Sequence, residues 1–189
     1  FCLDFRPLNA VTRTEVYQLP RIDDVLARLA GARYFTVVDA ASGFWQIPMR
    51  EEDIEKTSFI CPEGQYSYVR MPFGLKNASA VFQRAMNTIL AGLTWRSALA
   101  YIDDVCVFDA TWEQHLDSVR AVFERFQKAN LSLKLRKCHF GMPEIELLGH
   151  IVNKDGIKPN PAKLQAIRDI QLPRSVTEVR SLLGMTGYY

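Results

Sequence analysis

The chain has 189 residues, 48% of them hydrophobic and 23% charged, with a formal net charge of +2. That length can hold one sizeable core, and that balance suits a globular protein and excludes a disordered one. No apolar run approaches the roughly 20 residues of a membrane helix, the first residues lack a signal-peptide layout, and so small a net charge names no partner.

The chain starts without Met and ends on Tyr188 and Tyr189 straight after a helical pattern, so it reads as a piece of a longer polypeptide. Cys2, Cys61, Cys106 and Cys138 are scattered with no CxxC pair, which points to a reducing, intracellular setting. The neighbours Cys138 and His139 have no second ligand pair at zinc spacing.

In chain order, LPRIDDVLARLAG predicts a short helix with Ile22, Val25, Leu26 and Leu29 at helical spacing, Pro20 near its first turn and Gly31 as its stop. A β-rich run through Val38 then delivers Asp39 at a strand end. TSFICPEGQYSYVR predicts a hairpin joined at Pro62, Glu63 and Gly64, and MPFGLKNAS a turn-rich loop. Ser79 can cap a helix whose buried stripe uses Phe82, Met86, Ile89 and Leu90 before Gly92. LAYIDDVCVF, residues 99–108, reads as strand, tight turn, strand. Thr111 and Gln114 form a capping box for a helix with Leu116, Val119, Val122, Phe123 and Phe126 inward. LSLKLRK alternates like a half-exposed strand, and ELLGHIVNKDGIKPN reads as a further strand with its turn at Asp155 and Gly156. Two helical patterns close the chain, Ala162 to Ile170 and one capped by Ser175 with Glu178 three residues on. Strands and helices mix without strict βαβ alternation, which favours an α+β fold with an antiparallel sheet.

The aspartate pair Asp103 and Asp104 is an odd choice for a tight hairpin, where Asn-Gly or Asp-Gly is favoured and adjacent carboxylates repel. A divalent cation would repair both defects, because magnesium takes oxygen ligands from one or two carboxylates plus substrate phosphates. With Asp39 at a neighbouring strand end, two metals could be held for in-line phosphoryl transfer. The other reading is an exposed acidic turn without a role. Asp23 and Asp24, equally acidic, suit the first turn of a helix and read as structural. Arg120, Arg125, Lys128, Lys134, Arg136 and Lys137 face one acid, Glu124, in their stretch, which makes either a solvated helix face or a phosphate-tracking surface.

Around YIDDV the chain resembles the reverse transcriptases of gypsy-type LTR retrotransposons and their retroviral relatives. The likeness runs through DFRPLN (4–9), LPRIDD (19–24), FTVVDAASGFWQI (35–47), KTSFICPEGQYSYVRMPFGLKNASAVFQ (56–83), YIDDV (101–105), CHFGMPEIELLGHIVNKDGIKPNP (138–161) and VRSLLGMTGYY (179–189). YxDD alone is a weak pattern; these blocks in the family's order are a specific one.

The resemblance implies an α+β right-hand polymerase palm, an antiparallel sheet backed by helices, with partial fingers and the start of the thumb. Its divisions would be 1–12 partial fingers, 13–48 palm, 49–71 fingers hairpin, 72–157 palm and 158–189 start of the thumb or connection, together one incomplete domain. It implies RNA-directed DNA polymerase activity in retrotransposon replication with two magnesium ions, manganese being the alternative, and a fragment that is inactive alone. Asp39, Asp103 and Asp104 match the catalytic metal ligands, Asp103 as direct ligand of both ions and Asp104 in support. Phe44 falls where the family keeps a steric gate against the ribose 2′-hydroxyl, a plain core aromatic being the other reading. Phe73, Gly74 and Tyr101 match positions at the incoming nucleotide, and Lys76 is a basic group for template-primer contact. Leu148, Gly149 and His150 align with the segment that grips the primer, against a buried strand with an ordinary His. Arg6, in the fingers block, could equally be a structural cation.

The partners implied are an RNA or DNA template with primer, deoxynucleoside triphosphates, and the protease, ribonuclease H and integrase of a polyprotein; no membrane is implied. The location implied is intracellular, in cytoplasmic retroelement particles. Two features depart from the pattern: Ser79 stands where the family has Pro, and AASGFWQ where it more often has Leu-Lys-Ser-Gly-Tyr-His-Gln. The family's triphosphate-binding Lys and Arg lie before Phe1. An idle nucleic-acid-binding remnant is the alternative function; a metal nuclease fits less well, having no need of the Phe gate or the MPFG loop. Without metal, the turn is expected to be among the least comfortable places in the fold, its carboxylates facing an open cleft.

Overall fold

The computed structural model describes residues 3–170 and 172–188, so Cys2 and Tyr189 lie outside the described residues. The first helix is α1 (Arg6–Val11), with Pro7 in its first turn. After an irregular strap comes α2 (Ile22–Arg28), which buries Val25 and Leu26 and closes at Gly31, whose φ of 84° suits glycine. β1 (Tyr34–Asp39) leads into a 3₁₀ turn, Gly43–Gln46, then α3 (Glu51–Ile54) and the separate hairpin of β2 (Phe59–Cys61) and β3 (Gly64–Tyr66). α4 (Ala78–Ile89) precedes β4 (Ala98–Tyr101) and β5 (Asp104–Asp109); α5 (Trp112–Lys128) precedes β6 (His139–Met142). A meander of β7 (Glu144–Leu147), β8 (His150–Asn153) and β9 (Gly156–Pro159) leads to α6 (Pro161–Arg168) and α7 (Val176–Tyr188). Among the described residues no helix is long and apolar enough to cross a membrane.

The central sheet has the order β4-β5-β1-β6, with its pairs antiparallel. Side chains alternate across it. Val38, Ala98, Ala100, Val105 and Val107 face Phe82 and Met86 of α4 and Val122 and Phe126 of α5. Phe35, Leu99, Cys106 and Phe108 face Val25 and Leu26 of α2 and Ile145, Leu147 and Val152 of the meander. The sheet is therefore covered by helices on one face and by a helix and a small sheet on the other, while its β1–β5 end carries the acidic residues.

Several expectations needed correction. The cap of α4 is Asn77, not Ser79, and its side chain serves the strap: Asn77 Oδ1 accepts from Glu15 N at 3.0 Å and Nδ2 donates to Arg13 O at 2.9 Å. In α5, Thr111 does cap, accepting from Gln114 N, but Leu116 is exposed and the buried face is completed by His115, bonded to Thr36 and Asp109. LSLKLRK is not a strand. It pairs with the chain just past β1 through a bridge from Leu133 to Ala40, then coils into a 3₁₀ turn at Leu135–Lys137, which redirects the chain to lay β6 along β1. ELLGHIVNKDGIKPN supplies three strands, and the second turn lies at Lys154 and Asp155, because Asn153 already pairs with Gly156.

Candidate active site

β1 and β5 run antiparallel with Val38 opposite Val105 and Asp39 opposite Asp104. Directly opposed residues of such a pair have Cα atoms about 4.5–5.5 Å apart, so the last residue of one strand meets the first of the other at close quarters. β4 and β5 are joined by the two-residue turn Ile102–Asp103, closed by pairing of Tyr101 with Asp104. Asp103 is thus the tip of the turn. By alternation from Val38 and Val105, Asp39 and Asp104 project on the face that carries the meander.

The turn is strained. Ile102 has φ of 52°, a left-handed value that costs a β-branched residue on the order of 1–3 kcal/mol. Its amide is held by a side chain that sequence patterning missed: Gln83 of α4, fully buried, accepts from Ile102 N at 2.6 Å and donates to Ala100 O at 2.9 Å.

Electrostatics bind the three acids into one unit. Partial burial raises the Asp103 carboxyl above the ordinary range, the charge of Asp39 raises it further, and Lys137 opposes both. Asp104 is raised by burial, then by Asp103 and Asp39, again against Lys137. Both residues nonetheless remain exposed to solvent, whereas Asp39 is half-buried. Lys137 donates to Asp39 Oδ2 at 3.1 Å. The same segment anchors the strand end itself, through Lys134 N donating to Asp39 O at 2.9 Å. In the sequence Lys137 was only one member of a basic run; nothing in its surroundings announced this contact.

Among the described residues no three His, Cys, Asp or Glu side chains form a ready-made metal cage. The donor set still fits a hard divalent cation. It consists of carboxylate oxygens, one of which already accepts from an ammonium group, and magnesium completes its shell with substrate phosphates and water.

The remaining residues fall into two groups. Met71 N bonds Ile47 O at 2.9 Å and Met49 N bonds Val69 O at 3.1 Å, which lays the MPFG loop beside the turn after β1. Phe44 is buried in the core, its ring 5.5 Å from Phe82 and 5.2 Å from Phe73. Phe73 is exposed and also lies 5.8 Å from the exposed Trp45. Gly74 takes φ of 90°, and its carbonyl accepts from Asn9 Nδ2 at 2.8 Å. The Lys76 ammonium donates to Thr12 O at 2.9 Å and Asn9 O at 3.4 Å, closing the C-terminal end of α1. Tyr101, half-buried, lies opposite Asp104.

Leu148 and Gly149, at φ of 48° and 73°, form the tight β7–β8 turn, which His150 follows. His150 Nδ1 and the Tyr188 hydroxyl both bond Leu148 O, at 2.9 and 2.7 Å, which ties α7 to this turn. Arg6 pairs with Asp4 at the surface.

A family model described as reverse transcriptase (RNA-dependent DNA polymerase) matches residues 1–152. Retrovirus-related Pol polyproteins of Drosophila melanogaster are similar over 99% of the chain: that from transposon 297 is 48% identical, that from opus 46% and that from gypsy 40%. The chain spans only 18%, 19% and 18% of those relatives. Among solved structures, the foamy viral protease-reverse transcriptase in complex with double-stranded DNA superposes with a TM-score of 0.89, at 24% identity over 98% of this chain and 32% of that one. The same enzyme in complex with an RNA/DNA hybrid gives 0.84, again at 24% identity, over 99% and 25%. The α+β arrangement is thus that of a reverse transcriptase, and the chain belongs to the reverse transcriptase (RNA-dependent DNA polymerase) family.

Proposed function

We propose that this chain is the palm-centred part of an RNA-directed DNA polymerase that adds deoxynucleotides to a primer 3′-hydroxyl, on an RNA or DNA template, in the replication of a gypsy-type LTR retrotransposon. The observation that carries the reading is the strand register, which sets Asp39 opposite Asp104 with Asp103 in the adjoining turn. Asp39, Asp103 and Asp104 would hold two divalent cations, magnesium or manganese. When bound, such ions supply activation of the attacking hydroxyl and charge neutralisation on the leaving pyrophosphate. The residues' own part is to fix those charges at one end of the sheet, with Lys137 balancing them when substrate is absent. Phe44, backed by Phe82, is rigid enough to act as a wall against a 2′-hydroxyl, and Phe73, Gly74 and Tyr101 would line the nucleotide's place. Leu148, Gly149 and His150 would meet the primer, and Lys76 the template-primer backbone.

The division that goes with this is 1–12 partial fingers, 13–48 and 72–157 palm, 49–71 fingers hairpin and 158–189 start of the thumb. Because the similar relatives are Pol polyproteins, protease, ribonuclease H and integrase are proposed as companions in one polypeptide, working in cytoplasmic particles. The family's triphosphate-binding Lys and Arg are expected ahead of the DFRPLN block, and on this reading the piece alone would not polymerise.

Primer extension on an RNA template, by a full polymerase that contains this chain, tests the reading. Extension that survives Asp103→Asn unchanged would sink the site assignment. Duplex binding without incorporation, in magnesium or manganese, would make it an idle binder, and shortened primer a nuclease.

A further inference from the structure

β4 is the edge strand of the central sheet, so the outward carbonyl of Ala100 and the outward amide of Ile102 have no neighbouring strand to pair with. Gln83 takes that place. Its amide presents one acceptor to Ile102 N at 2.6 Å and one donor to Ala100 O at 2.9 Å, which is the pair of bonds that the N–H and C=O of one residue in a further parallel strand would make. The second Nε2 proton goes to Asn87 Oδ1 at 3.1 Å, one helical turn along α4. Asn87 in turn donates from Nδ2 to the Tyr17 hydroxyl at 2.7 Å.

We propose that Tyr17, Asn87 and Gln83 form a relay that sets the position of the Asp103–Asp104 turn, which makes Gln83 a positioning residue for nucleotidyl transfer; the inference rests on the polymerase reading above. Every step of the relay has one workable direction. A flipped Gln83 amide would set its NH2 against the Ile102 N–H and its oxygen against the Ala100 carbonyl, and Asn87 Oδ1 facing Nε2 excludes the flip. The far end is fixed as well. The strap that carries Tyr17 is fastened along α4 by Asn77, which bonds Arg13 O and Glu15 N, and by the ion pair of Arg84 with Glu15.

The residue gripped is the strained one. Ile102, at φ of 52°, stands between Tyr101 and Asp103, so release of its amide lets the turn relax toward an ordinary conformation and carries Asp103 away from Asp39. The strap's attachment thereby reaches the carboxylates through two side chains, and any change in how residues 13–17 sit on α4 is felt at the turn.

The test uses the full polymerase containing this chain. Gln83→Met keeps the shape and removes the bonds. It is expected to lower kcat about tenfold or more, with KM for deoxynucleotide within about twofold, because small misplacements of reacting groups are costly. Manganese binding to the protein without nucleic acid, read by electron paramagnetic resonance, should weaken about threefold or more. Asn87→Asp should stay close to wild type, since its carboxylate still accepts from Gln83 and the Tyr17 hydroxyl can turn to donate. Tyr17→Phe should cost several-fold in kcat, and combined with Asn87→Asp more than the two separately.

Unchanged kcat and manganese affinity in a folded Gln83→Met protein would overturn the relay, as would strict additivity of the Tyr17 and Asn87 changes. If Gln83→Met does not fold, Tyr17→Phe, which removes one oxygen from a half-buried ring, decides: an unaltered kcat overturns it. Hydrogen exchange separates this inference from the functional one. Slow exchange of the Ile102 amide, lost in Tyr17→Phe, upholds the relay even in a protein that extends no primer, and equal exchange refutes it.

Discussion

Replacing Asp104 with Asn is expected to stabilise the metal-free fold at neutral pH while abolishing catalysis. Asp104 faces Asp39 across the β1–β5 ladder and follows Asp103 directly. Burial and those two charges hold its carboxyl above the ordinary range, and Lys137 opposes them. A carboxyl raised in this way binds its proton more tightly in the folded than in the unfolded chain. Stability is therefore lost as pH rises from the unfolded value through the folded one.

The size follows from Coulomb's law. Two unit charges about 5 Å apart in a water-like medium repel by about 0.8 kcal/mol. Asp104 meets two such charges and Lys137 cancels roughly one, so with solvent screening of an exposed group the gain is about 1 kcal/mol or less. For a chain of this length, 1 kcal/mol corresponds to about 2–4 °C in Tm. Thermal unfolding of wild type and Asp104→Asn in chelator measures it, at pH 7 and at about pH 3, below the unfolded carboxyl value. The variant should melt higher at pH 7, and the two should converge in acid. A variant that is less stable at pH 7, or a gap unchanged in acid, would refute the reasoning.

Lys137→Met should show the converse. Loss of its half-exposed pair with Asp39 costs less than about 1 kcal/mol at neutral pH, while manganese should bind more tightly because no ammonium competes for Asp39 Oδ2. Weaker manganese binding, read by electron paramagnetic resonance, would show that Lys137 does not compete. Phe44→Val should open a gap beside Phe82 and Phe73, lower stability by about 2 kcal/mol, and raise ribonucleotide relative to deoxynucleotide incorporation. An unaltered ratio in single-nucleotide extension would reduce Phe44 to core packing.

What was legible in the sequence was what depends on neighbours. The β-branched run into Asp39, the hairpin around Ile102 and Asp103, and the apolar stripe Phe82, Met86 and Leu90 each follow from a period of 2 or 3.6. What was hidden depends on distant partners. Gln83 sits where a helix pattern gives no reason for a polar residue to be buried, and the groups that satisfy it lie 17 and 19 residues further on, at the edge of a sheet. Lys137 reaches back 98 residues to Asp39. Asn77 and Ser79 are equally good caps by local rules, and the strap, which uses the Asn77 amide, separates them. LSLKLRK has a real alternation, Leu131 and Leu133 turning inward, but just past the end of β1 there is one residue, Ala40, to pair with it before the chain turns away.

The discomfort of this site and its scaffolding are two sides of one arrangement. A two-residue turn selected for stability alone would take Asn-Gly, free of charge and tolerant of left-handed φ. Here the turn is Ile-Asp, with a strained isoleucine and an aspartate beside two more carboxylates. Left to local preferences it would open, moving the acids apart and relaxing Ile102. It stays closed because Asp39 and Asp104 are register-locked in a sheet buried on both faces, because Gln83 holds the turn from the edge, and because Lys137 supplies one compensating charge. Each of these supports acts on the protein before any substrate arrives, so the three acids are held at one end of the sheet by the chain's own bonds and not by a ligand that gathers them.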